Sequence, residues 1–453
     1  MNLVAFSIKT KGLRNFARRL WTVFARFGFS DRRTRADLLA IVRAVQRAGS
    51  APTFFIPAVV LARHPDLIAD IARGGAEFGI HGYVHNDYRA LSQTRQYEQT
   101  KQAAAIFQRS HIAYAGFRNP YLGWTNDSVV VFAKLGMLYD SNEAVHYPVI
   151  DLTRLPRGLR SGYTKSLELF QAIACTDYTL RPHFEGTLLR LPTSIPDDEM
   201  LYDRLRITNV RCIGAIWRQM LERTYELGGL YVLNLHPERG LLCLPALECL
   251  LASARQQPLR VWLAQLAEVA QWWRDRCQFA LRLLPLGPRQ WQVEASCSAH
   301  ATILVRHLVV EDQPAIPWYG PDAVVRAQSF TVSAARCPCL GLTPETPDEV
   351  VAFLREQGYP ACRAPRVEAN DYALYLDLSD GLGATRDERI SRRGALVRQI
   401  ETLEAPLVRF GCWPDQARAA LAITGDIDSV TVQDFFLRVI ETGDMGDRLG
   451  TPR

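Results

Sequence analysis

No stretch of this 453-residue chain reaches the ~20 consecutive apolar residues that a bilayer span requires. Its apolar runs, such as Leu189-Arg190-Leu191 and Leu230 to Leu235, are interrupted by charge or end before proline, so no transmembrane helix is predicted. Cys-x-x-Cys pairs are also missing. The ten cysteines are scattered, and the one close pair, Cys337 and Cys339, has no second pair to complete a zinc site, which favours reduced thiols. There is no dense Lys/Arg tract with interleaved aromatics, so a net charge of +6 predicts only weak attraction to anionic surfaces and no nucleic-acid partner. Met1 to Phe29 is basic but lacks an apolar core followed by a small-residue cleavage site; it is not read as a signal peptide, and a cytoplasmic location is expected. Low-complexity tracts are absent. What remains is an ordinary globular composition, 48% apolar and 22% charged, long enough for two or three domains.

From about Thr34 to Cys277, helical and strand patterns alternate. Leu38, Leu39, Ile41, Val42 and Val45 keep helical spacing up to Gly49; Thr53 to Ile56 is a short β-type run; Asp66 to Arg73 is helical and Glu77 to Ile80 a strand. The series continues with a helix at 91–110, a strand at 114–117, a helix near 127–135, a strand at 137–139, a helix at 209–227 and a strand at 231–235. Two further amphipathic helices, 246–253 and 261–275, follow. Such alternation predicts parallel strands with helical crossovers, in a sheet or barrel. After Cys277, β-type segments at 291–309 and 323–332 and a helix at 346–357 predict a smaller α+β unit. The last part holds an apolar strand, Ala419 to Thr424, then Gly425-Asp426-Ile427-Asp428 and a helix from Val432 to Glu441.

His81-Gly82-Tyr83-Val84-His85 places two imidazoles four residues apart just after a strand, where one helical turn would set them on the same side, within reach of one metal ion. Alone, the pair is as consistent with surface or capping histidines. Two later segments at strand ends add weight: Phe117-Arg118-Asn119-Pro120-Tyr121 and Leu233-Asn234-Leu235-His236-Pro237.

Together these residues resemble the NodB-like polysaccharide deacetylases, carbohydrate esterase family 4, whose His-x-x-x-His, Arg-x-Pro-Tyr and Leu-x-x-His motifs occur in this order at strand ends of a distorted (β/α) barrel. The resemblance spans roughly residues 33–237 and includes the strand Pro52 to Ile56. The family's first motif, an Asp-Asp pair or Asp-x-Asp, departs: its place holds Phe27-Gly28-Phe29-Ser30-Asp31-Arg32, with a single carboxylate. Asp426-Ile427-Asp428 looks like the missing motif displaced to the other end of the chain, as in a circularly permuted or strand-supplemented barrel. The expected division is therefore a deacetylase-like barrel at 1–278, an accessory α+β unit at 279–412, and a strand and helix at 413–453 that complete the barrel.

The resemblance implies de-N-acetylation of a carbohydrate with one divalent ion, zinc first, with cobalt or manganese as alternatives. It assigns His81, His85 and Asp428 as metal ligands, Asp426 as base, Arg118 as its holder and His236 as acid. Tyr121 would supply an oxyanion N–H, with Pro120 and Leu233 beside the substrate. Gly82 stands where the family has Ser or Thr. The plainer readings are that Asp426 and Asp428 cap the helix at Val432 or open a truncated second copy, that Arg118 is a strand-end ion pair, that Tyr121 is a core aromatic, and that His236-Pro237 is a turn. Asp140 is a turn residue or a tuner of the acid histidine. Another linear or cyclic amide is the alternative substrate, and a catalytically inactive carbohydrate-binding homologue the alternative class. Arg14, Arg18, Arg19 and Arg26 alternate with Leu13, Phe16, Leu20, Trp21, Val23 and Phe24, so residues 12–26 form a helix that lies on an anionic membrane face or packs on the barrel. The oligomeric state is open.

Overall fold

The structure, a computed structural model, describes residues 24 and 26–444, so most of the N-terminal amphipathic segment lies outside the described residues. The helix Arg32–Arg47 buries Leu38, Ile41, Val42 and Val45, one face at 3.6-residue spacing. It leads to β1 (Thr53–Ile56), whose four residues are all buried, as expected of a central parallel strand covered on both faces. Then come β2 (Glu77–Ile80), β3 (Gly116–Phe117), β4 (Tyr139–Asp140), β5 (Ala144–His146), β6 (Ile173–Ala174), β7 (His183–Glu185), β8 (Leu188–Arg190), β9 (Thr193–Ile195), β10 (Leu230–Leu235) and β11 (Val261–Leu263). Helices at Pro65–Arg73, Gln93–Arg109, Asn126–Lys134, Arg157–Leu169, Val210–Leu227 and Gly240–Arg255 make the crossovers.

An accessory unit follows. It contains β12 (Ala280–Gly287), β13 (Gln290–Ser296), β14 (Ile303–Arg306), β15 (Val309–Val310), β16 (Ile316–Pro317), β17 (Asp322–Val325), β18 (Ser329–Ser333), β19 (Cys337–Leu342), β20 (Ala361–Arg363), β21 (Tyr372–Leu376) and β22 (Leu407–Phe410). Two antiparallel four-stranded sheets hold most of these strands, but β20-β19-β21 is a parallel sheet served by helices Asp348–Glu356 and Arg386–Glu401. The chain then returns to the barrel with β23 (Ala419–Asp426) and ends its described part in the helix Val432–Asp444.

β23 lies between β10 and β1, parallel to both, with β11 against its first half. Its eight residues are all buried. β4 and β5 are two halves of one bent segment, as are β8 and β9; β4 pairs with β8, β5 with β9 and β9 with β10, while β1, β2, β3 and β4 pair in turn. These pairings close a distorted parallel barrel around β23. A core shared by Phe55, Val232, Ala422, Trp273, Trp413, Val305 and Phe410 joins the barrel to the accessory unit. The start of the described chain also meets its end: Val432 N, at the start of the helix Val432–Asp444, donates to Gly28 O at 3.0 Å, and Thr34 Oγ1, in the helix Arg32–Arg47, donates to Val430 O at 2.6 Å.

One sequence expectation needs correction here. Residues 261–263 are a strand, and the helix begins only at Leu266, because the β-branched and aromatic Val261-Trp262 finds an open edge on β23. Residues 291–309 are strands separated by turns, as expected, with Ile303–Arg306 leaving the sheet of β13 to pair with β17 and β22. Among the described residues no helix is long and apolar enough to cross a membrane.

Candidate active site

Every chemically active side chain of the motifs sits at or just beyond the C-terminal end of a barrel strand, the edge where parallel α/β sheets form their sites. His81 follows β2, Arg118 follows β3, His236 follows β10, and Asp426 and Asp428 come from the end of β23. The insertion of β23 beside β1 therefore carries the Asp pair to the histidines. His85 Nε2 lies 3.2 Å and His81 Nε2 3.5 Å from Asp428 Oδ1. Gly425 permits this close strand packing, since a Cβ there would meet Leu235 O and the Phe54 ring at 3.1 Å.

The histidines are not joined by a helical turn, as their spacing suggested. Residues 81–87 form a loop, and Gly82 has φ +85°, with the site of a Cβ only 2.7 Å from Val84 O. Glycine is thus what lets the chain reverse between the two imidazoles, where Ser or Thr would be strained. Arg118 O lies 2.8 Å from His81 Nδ1, and if the ring donates there its Nε2 keeps a lone pair toward Asp428. Burial pushes His85 down to about 4, so its ring is neutral. Asp428 remains ionised: burial works against its charge, but His85 and the Arg438 guanidinium hold it well below the usual carboxylate range. Arg438 Nη1 donates to Asp428 Oδ2 at 2.7 Å, leaving the buried Oδ1 without a hydrogen-bond donor and facing the imidazoles.

This donor set fits a divalent ion. Two imidazole nitrogens and one carboxylate oxygen lie within 4.8 Å of one another. Tetrahedral zinc with ligand bonds of about 2.0–2.2 Å would space its ligands by about 3.3–3.6 Å, close to the two separations seen.

Asp426 is gripped from two sides. Arg118 Nη1 donates to its Oδ1 at 3.1 Å and Asn234 Nδ2 to its Oδ2 at 2.9 Å. Arg118 is fully buried and also donates to Asn234 Oδ1, Thr424 Oγ1, Ser141 O and Ser141 Oγ, with its guanidinium 4.3 Å above the Phe55 ring. His236 faces the same cleft. Its Nδ1 is 2.6 Å from Asp198 Oδ1, and its backbone N–H donates to Asp198 Oδ2 at 2.7 Å. Burial disfavours the His236 cation, yet the Asp198 carboxylate outweighs it and raises His236 well above its ordinary value. Neighbouring Asp197 is instead pushed up to about 7 by burial.

The cleft, about 630 Å³, is lined by His81, His85, Tyr121, Asn234, His236, Asp426 and Asp428, and the last helix adds Phe435 and Arg438 to its wall. Tyr121 is partly exposed, holds a left-handed backbone (φ 59°) and sets its ring edge-on to His85 at 4.7 Å. Pro120 and Leu233 are buried and do not line the cleft; strand alternation turns Leu233 away from the side of Asn234 and into the apolar layer between strands and helices. Asp140 is neither a turn residue nor the tuner of His236: it is a buried strand residue bound by Arg190 Nε at 2.6 Å and Asn142 Nδ2 at 2.8 Å. Asp31 is outside the cleft and pairs with Arg35.

The sequence marks Ile195-Pro196-Asp197-Asp198 as a loop near the mouth of the site, which the structure bears out, but it does not single out Asp198, Asn234, Arg438 or Thr424. Asn234 lies within Leu233-Asn234-Leu235-His236-Pro237 and so is within reach of the sequence; nothing in the sequence ties Arg438 to the histidines.

The architecture is the distorted (β/α) barrel of the polysaccharide deacetylase type. Residues 31–139 match the polysaccharide deacetylase family model, a stretch that includes His81, His85 and Arg118 but neither β10 nor β23. Among solved structures, the chain is similar to a polysaccharide deacetylase of Mycobacterium smegmatis (20% identity, 59% of this chain and 82% of that one, TM-score 0.41). It is also similar to the PuuE allantoinase (18%, 52% and 72%, 0.38) and to a family 4 carbohydrate esterase of Streptomyces lividans in complex with acetate (14%, 48% and 81%, 0.26). No curated protein matches the sequence.

Proposed function

We propose that this protein removes N-acetyl groups from a carbohydrate by metal-assisted hydrolysis, with His81, His85 and Asp428 holding the ion. The observation that carries this reading is the convergence of Asp428 Oδ1, with no donor of its own, on two imidazole Nε2 atoms, beside a second carboxylate and a histidine on an ionised aspartate. A divalent ion there would lower the pKa of a bound water toward neutrality.

The rest of the chemistry belongs to the chain. Asp426, kept in one orientation by Arg118 and Asn234, takes the proton of the attacking water. The Tyr121 backbone N–H would stabilise the oxyanion. His236, kept protonated by Asp198, gives its proton to the departing amine so that it leaves neutral.

Acetate release from an N-acetylglucosamine oligomer tests the reading. Wild type should release acetate, lose this on chelation and regain it with added zinc, cobalt or manganese. Asp426→Asn should lower the rate by about 10²–10⁴ while metal stays bound. Metal content that is equal in wild type and in a His81→Ala/His85→Ala variant would overturn it.

A further inference from the structure

At the opposite end of the barrel from the histidines, a second pocket of about 370 Å³ lies in the seam with the accessory unit. Leu227, three residues before β10, and Arg418, next to the start of β23, line it together with the helix Arg386–Glu401. Its charge is unbalanced. Four guanidinium groups, those of Arg181, Arg306, Arg409 and Arg418, are buried in and around it but share two carboxylates. Asp322 takes both Arg306 (2.7 and 3.0 Å) and Arg409 (2.6 Å); Glu401 takes Arg181 (2.9 Å) and a second contact from Arg409 (3.2 Å).

Arg418 is left over. It lies against the Tyr319 ring at 4.0 Å, donates to the carbonyl of Glu226, and makes no ion pair among the described residues. Burial lowers its pKa; the Glu401 carboxylate opposes this, but Arg181 and Arg409 add to the lowering. Its Nε and that of Arg181 are buried without an acceptor. At the rim, Arg398 donates to the Thr176 carbonyl from an exposed position, while Arg223 is paired with Glu226 at 2.9 Å. A buried cation with no counter-charge is costly, so a protein that keeps one beside a cavity is built to receive an anion there.

We propose that this seam pocket binds a small molecule bearing a phosphate group, whose oxygens accept from Arg418 and the rim arginines. A phosphate supplies the two negative charges that the four guanidinium groups lack, and guanidinium is the side chain whose planar donors fit phosphate oxygens. The pocket shares no lining residue with the catalytic cleft, so the ligand is neither substrate nor product of the proposed reaction. It bridges the barrel and the accessory unit.

Isothermal titration of the full-length protein with inorganic pyrophosphate tests this. Wild type should bind with one site per chain, and His81→Ala, which alters only the far end of the barrel, should bind equally well. Arg418→Met should bind at least about tenfold more weakly, as expected for loss of a charge-assisted contact. Arg398→Ala, at an exposed helix position that leaves the core untouched, should weaken binding in the same direction and carries the test if Arg418→Met does not fold. Absence of binding to wild type, binding lost in His81→Ala, or undiminished binding in Arg398→Ala and Arg418→Met would each overturn the proposal.

Discussion

His236 and Asp198 form a buried pair in which one carboxylate serves two donors of the same residue, the ring Nδ1 and the backbone N–H. The carboxylate thereby fixes the ring's orientation and its charge together, leaving Nε2 toward the cleft as the protonated face. Because the pair raises His236, its stabilising effect is full below the histidine's ordinary pKa of about 6.5 and fades as pH rises through the higher folded-state value. In Asp198→Asn the ring should lose its proton nearer pH 6.5. The alkaline limb of the kcat profile should then move to lower pH relative to wild type. An unmoved limb would mean that another group supplies the acid.

Arg118 satisfies acceptors on three different strand ends at once, so its removal should reach beyond catalysis. Arg118→Met leaves Asp426 buried without its cation and several oxygens without donors. Breaking a buried ion pair from one side typically costs about 3–5 kcal/mol. Urea denaturation should show a loss of that order together with loss of acetate release; a variant of unchanged stability would show that the network is redundant.

Gly82→Ala should damage metal binding more than folding. The added Cβ must be accommodated at φ +85° and against the Val84 carbonyl, at a cost of about 1–2 kcal/mol that falls on the loop between the ligands. Zinc affinity measured by chelator competition should drop while the circular dichroism spectrum is kept. Equal affinity in variant and wild type would show that the loop bends elsewhere.

Truncation after Trp413 should not yield a folded, inactive barrel, although a displaced motif read from sequence suggests it. β23 is buried throughout between β10 and β1, and its loss would open the barrel and strip both hydrophobic clusters of their centre. The truncated chain should be insoluble or lack cooperative thermal unfolding. Asp426→Asn, by contrast, keeps the strand and isolates the chemistry. A truncated protein with a sharp melting transition would show that the accessory unit and the remaining strands suffice.

Much of this was written in local pattern. The runs at 53–56 and 77–80 and the helices between them have their own periodicity, and His81, Arg118 and His236 each follow an apolar strand, so their place at strand ends could be read directly. The proximity of Asp428 to His85 could only be expected from the resemblance, because no local signal says that a strand at 419–426 will slot in beside one at 53–56. The pairing of His236 with Asp198 was hidden for a similar reason: it depends on how the chain turns after β9, where Asp197 and Asp198 look alike in sequence yet differ in protonation through their partners. The bend that makes β4–β5 and β8–β9 single segments, and so closes the ring, also left no signature that length or hydrophobicity could reveal.

The placement of β23 also sets the order in which this protein can come into being. Contacts such as Arg118 with Thr424 span 306 residues, and that of Thr34 with Val430 spans 396, so the ring closes only between parts of the chain made far apart in time. Non-local pairing of this kind slows folding. During synthesis, the strands before β23 must wait, with a gap between β1 and β10, while the whole accessory unit emerges from the ribosome. The chain therefore cannot carry a complete candidate site until residue 428 has been translated, and a product released before β23 would expose two unpaired strand edges.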